Sequence, residues 1–131
     1  MRNPALAIVL VLLALVPIIA WGYTAYGAAL TYNVGKTHAA GLILEILAGL
    51  TPAFVGGILM AVGAFLLGRR PLGARVTATI GVVLVILTVA IFVALEGPAS
   101  GRELMISGAA YVLLHAGVLA WLWRSGRRPG V

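Results

Sequence analysis

The sequence predicts an all-α integral membrane protein, a four-helix bundle with both termini in the cytoplasm. Three observations lead there. Four apolar stretches, Pro4–Tyr23, Ala39–Gly68, Val76–Leu95 and Leu104–Trp123, fill most of the 131 residues. About 20 apolar residues are what an α-helix needs to cross a hydrocarbon layer roughly 30 Å thick. Hydrophobic residues make up 63% of the chain and charged ones only 9%, whereas a soluble domain carries about 25% charged residues. The third observation is where the charges fall. Arg2, Arg69, Arg70, Arg75, Arg124, Arg127 and Arg128 lie in the amino terminus, the second loop and the tail, and only Lys36 and Arg102 lie in the other two loops. By the positive-inside rule this asymmetry puts both ends in the cytoplasm and the protein in the inner (plasma) membrane.

The first crossing, about residues 4–23, is a Leu/Val/Ile helix that Pro17 is expected to kink. An outer loop, 24–38, follows, with Tyr26, Tyr32 and Asn33 along it. The second apolar segment is too long for one simple crossing, since its 30 residues would span roughly 45 Å. Thr51–Pro52 reads as a helix start, with threonine as N-cap and proline in the first turn. The segment is therefore expected to be broken or kinked near Pro52. The favoured reading has an interfacial or re-entrant helix at about 39–50 and a crossing at 52–68; the rival is one tilted helix kinked at Pro52. The third and fourth crossings are expected at about 76–95 and 104–123, before a basic cytoplasmic tail, 124–131. All of this makes one transmembrane domain, 1–131.

Glu45 is the one acidic residue inside the apolar stretches. If helical, it shares a stripe with Gly41 and Gly49, where a neighbouring backbone could come close. It is the candidate contact for a partner or an ion, because ionisable groups at membrane depth are costly and face protein or water. A plainer reading makes it an interfacial carboxylate bonded to a loop amide or to Lys36. Ser107, Tyr111 and His115 recur every fourth residue and form a candidate interhelical polar stripe. Gly49, Ala53, Gly57 and Ala61 form a helix-packing ridge, continued by Ala64 and Gly68, with Thr77 and Gly81 as a shorter version on the third crossing. Small residues at this spacing let helix backbones approach closely.

Several chemistries are excluded or disfavoured. With no cysteine and no aspartate, the chain offers no thiolate and no acid/base pair at a recognisable spacing, so no catalytic residue and no metal site are expected. His38 and His115 are the only histidines and are expected at different depths, which argues against a haem held by both; no cofactor is expected. Gly35-Lys36-Thr37 lacks the opening glycine of a phosphate-binding loop, position 30 being Leu30. The net charge of +6 sits at the ends of apolar segments, where lipid headgroups explain it and nucleic acid does not. The partners expected are membrane lipids and other membrane subunits. The preferred function is a non-catalytic accessory subunit of a larger bacterial membrane complex, respiratory or transport. The alternative is a small proton-coupled transporter or exporter acting as a homo-oligomer, with Glu45 as its coupling carboxylate. The chain is similar to the small multidrug-resistance exporters in size alone; their essential glutamate lies in the first helix, where this chain has none.

Overall fold

The computed structural model describes residues 4–125, without the side chains of 96–100, 104 and 125. Arg2 and the tail beyond position 125, with Arg127 and Arg128, lie outside the described residues. Four α-helices follow one another, α1 (Pro4–Asn33), α2 (Thr37–Leu66), α3 (Pro71–Ser100) and α4 (Arg102–Ser125). All four are long and apolar enough to cross a membrane, so this is a multi-pass membrane protein.

The helices are longer than the apolar stretches suggest, and each difference has a local cause. α1 continues through residues expected in the outer loop and ends at Asn33. The hydroxyls of Thr24 and Thr31 donate to the carbonyls of Ala20 and Gly27, one turn back, so neither competes for the turn. Gly35 then closes the helix at φ +83°. Its N–H donates to the Tyr32 carbonyl, and the Lys36 N–H donates to the Thr31 carbonyl, the paired bonds of a Schellman cap. The loop is thus Val34–Lys36 rather than 24–38.

α2 runs unbroken as a helix through Pro52, which replaces the expected pair of helices at 39–50 and 52–68. Thr51 is not an N-cap. Its hydroxyl donates to the Leu47 carbonyl and accepts the indole N–H of Trp21 from α1. Proline is tolerated inside membrane helices. Here Trp21 also stacks on Phe54, with ring centroids 4.4 Å apart, which ties α1 to α2 across the proline.

α3 begins at Pro71, five residues before the expected start. Arg70 stands before it and its carbonyl accepts the Ala74 N–H, with proline in the first turn where its missing N–H costs nothing. Only Gly101, at φ +87°, separates α3 from α4.

α2 is the central helix, packed against α1 on one side and α3 on the other; α4 rests mainly on α3 and touches α1 over a smaller area. The core comprises Leu6, Leu10, Leu13 and Ala14 of α1, Ala53, Met60 and Ala64 of α2, Ala78, Val82 and Val85 of α3, and Val118 and Leu122 of α4. These residues occupy the half of the bundle nearer the α2–α3 turn, called here the basic end. Towards the opposite, far end, Ala28, Ala40 and Gly108 are the buried residues among those described.

Candidate functional site

Helix packing explains where most small residues go. A methyl group placed at Gly56 would sit 2.6 Å from the Gly81 carbonyl oxygen, and one at Gly81 would sit 2.5 Å from the Gly56 oxygen. α2 and α3 therefore meet backbone to backbone. Gly63 extends the same face, against Ala74 and Ala78. Gly57 points the other way, where a methyl group would meet the Ala14 oxygen and the Pro17 ring at 2.9 Å. The ridge at Gly49, Ala53, Gly57 and Ala61 is thus divided. Ala53 and Gly57 are buried, Ala61 is half-buried, and Gly49 is exposed. The row that meets α3 is Gly56 and Gly63, seven residues apart with Met60 between them, and the four-residue period from Gly49 passes it by.

Glu45 is exposed on α2, and so are Gly41 and Gly49 one turn to either side. A methyl group on either glycine would meet no neighbour within 4 Å. Glu45 makes no hydrogen bond or ion pair with any described residue; the pairing with Lys36 is not formed.

The polar stripe on α4 is only partly inward. Ser107 is exposed, Tyr111 half-buried, and His115 fully buried. The His115 and Tyr111 rings lie 4.3 Å apart at 51°. His115 Nδ1 stands 2.9 Å from the Tyr111 carbonyl oxygen. A carbonyl only accepts, so this bond places the proton on Nδ1 and leaves Nε2 with a bare lone pair. Nε2 is buried with no hydrogen-bond partner among the described residues. The bond lies within α4, so the stripe does not form the expected ladder between helices. His38 is exposed at the start of α2. Among the described residues, no three His, Cys, Asp or Glu side chains cluster so as to hold a metal ion.

Hydrogen bonds between helices come instead from tryptophans. Besides the Trp21–Thr51 bond, the Trp123 indole N–H donates to Thr79 Oγ1 at 2.9 Å and joins α4 to α3. The signal in the sequence was the presence of indole donors and lone threonines in otherwise apolar helices, since an indole N–H buried in an apolar setting needs an acceptor.

The basic end carries Arg69, Arg70, Arg75 and Arg124. The Arg69 guanidinium lies 4.8 Å from the centre of the Phe65 ring. That of Arg75 lies 5.3 Å from Trp123, and its Nε–H donates to the Pro71 carbonyl. Among the described residues, no arginine pairs with a carboxylate. The chain matches no protein-family model, no curated protein and no solved structure.

Proposed function

We propose that this protein is a non-catalytic accessory subunit of a larger bacterial membrane complex, held in the inner membrane with its basic end and both termini in the cytoplasm. One contrast supports the reading. Along α1 and α2, Gly56, Gly57 and Gly63 in the basic half are each occupied by a neighbouring helix, while Gly22, Gly27, Gly41 and Gly49 in the far half have open space where a side chain would be. A glycine inside a helix is destabilising by about 1 kcal/mol relative to alanine. The chain accepts that cost at the basic end in return for close packing. On the far halves of α1 and α2 the same device is present and unoccupied within the chain.

The uncovered face also carries Glu45, the only acid in the apolar stretches. A carboxylate beside two bare glycines suits a helix from another protein bearing a hydrogen-bond donor or a cation, and it suits lipid tails poorly. The cytoplasmic placement of the termini rests on charge: Arg69, Arg70, Arg75 and Arg124 cluster at one end, and Lys36, Arg102 and Glu103 stand at the other.

Purification from native membranes in a mild detergent, followed by mass spectrometry, tests the reading. A second membrane protein is expected to co-purify and to be lost from a Gly41→Leu/Gly49→Leu variant, whose positions have room for the larger side chains. Recovery of the wild type only as a monomer or homo-oligomer would overturn it.

A further inference from the structure

A groove on the lipid-facing side of α1 and α2, near the basic end, is lined by Ala7, Ile8, Val11, Leu12, Ala61, Ala64 and Phe65. Its volume, about 430 Å³, falls in the range of roughly 300–1,000 Å³ typical of small-molecule sites. The walls are aliphatic, and Ile8, Leu12 and Phe65 are well exposed along them. It exists because Ala61 and Ala64 leave a trough on α2 where α1 presents larger side chains.

Charge stands at one end of this trough. Phe65 is the lining residue of α2 nearest the α2–α3 turn, and the Arg69 guanidinium rests on the face of that same ring. Arg70 follows in the turn, exposed like Arg69. No acid compensates them: the three acidic residues of the chain are Glu45, Glu96 and Glu103, and none belongs to the α2–α3 turn or to the basic-end half of a helix. The face of an aromatic ring holds a guanidinium by cation–π attraction and leaves the N–H groups at its rim free to donate.

We propose that this groove binds an anionic phospholipid of the adjacent leaflet, with one acyl chain along Ala7–Leu12 and Ala61–Phe65 and the phosphate on Arg69 and Arg70. The two halves of the site match the two halves of such a lipid. An aliphatic trough opening onto the bilayer accepts a chain segment. A guanidinium pair at headgroup level, one member braced on Phe65, meets a phosphodiester with charge-assisted hydrogen bonds. This site is independent of the subunit assignment, since it lies at the opposite end of α2 from Glu45.

Lipid titration of the delipidated protein, read by native mass spectrometry and thermal stability in detergent, tests it. Phosphatidylglycerol is expected to bind and stabilise more strongly than phosphatidylcholine of the same chains. An Arg69→Gln/Arg70→Gln variant should lose that preference, by about fivefold in affinity per arginine removed. Ala61→Phe should weaken both lipids by filling the trough while leaving the arginines in place. If that variant does not fold, Phe65→Ala supplies the second arm and should lower the preference by freeing Arg69. Arg124→Gln, at the same end but away from the groove, should retain full preference. Equal binding of the two lipids, equal stabilisation by inorganic phosphate alone, or an equal loss in Arg124→Gln would each overturn the site.

Discussion

Gly81 shows how a single atom can govern this bundle. A methyl group added there would stand 2.5 Å from the Gly56 carbonyl oxygen and 2.9 Å from the Met60 backbone nitrogen, so a side chain must push backbone. Gly81→Val is therefore expected to destabilise the protein by about 2–3 kcal/mol, the upper range for overpacking, measured by thermal or denaturant unfolding in detergent. Gly49→Val makes the matched comparison. With no atom within 4 Å of the added group, it should leave stability nearly unchanged; equal losses in the two variants would contradict the assigned packing. Part of this was legible in the sequence. The four-residue spacing picked out Gly57 and Ala53, and the shorter motif picked out Gly81. Gly56 and Gly63 escaped it, because a central helix has two packed faces and a single periodic row describes one of them. Glu45 and His115 were legible as the residues to examine. Their surroundings were not, since burial depends on which way each helix is turned.

At the scale of the elements, α4 is the helix held least firmly. It contributes Val118 and Leu122 to the core and one hydrogen bond to α3 through Trp123. Trp123→Phe removes that donor and weakens the seat of Arg75. The expected loss is about 0.6 kcal/mol, with an upper limit near 1.7, as measured for hydrogen bonds between membrane helices. Hydrogen exchange followed by mass spectrometry should show faster exchange in α4 and little change in α1 and α2. A uniform increase across all four helices would mean that α4 is an integral part of the cooperative unit. Four helices and their order could be read from apolar length alone. Their ends could not, for two physical reasons. The segment Ala25–Leu30 remains helical past the apolar stretch, with Ala28 buried and the Thr31 hydroxyl bonded one turn back to the Gly27 carbonyl. Pro52, a stop signal in water, sits inside α2 beside the Thr51 hydroxyl and the indole of Trp21.

For the whole molecule, the core at one end and the uncovered glycines at the other describe a bundle complete on one side only. Reconstituted alone into proteoliposomes, it is expected to show no Glu45-dependent proton uptake. A proton-coupled flux abolished by Glu45→Gln, with folding intact, would establish a homo-oligomeric exporter instead. The lengths of the helices carry a separate consequence. α1, α2 and α3 have 30 residues each and α4 has 24, or about 45 Å against 36 Å. Tilt alone would need almost 50° to fit the longer three within a 30 Å layer, more than the 0–40° that such helices adopt. With the arginines anchored at one headgroup plane, the excess of about 15 Å emerges at the other, carrying Tyr26, Tyr32 and the Gly35 turn out of the hydrocarbon. Glu45 begins about 12 Å from the start of α2, close to the new boundary. Bilayer thickness thus becomes a variable acting on this one carboxylate: a thin membrane leaves it among headgroups, and a thick one draws it below them.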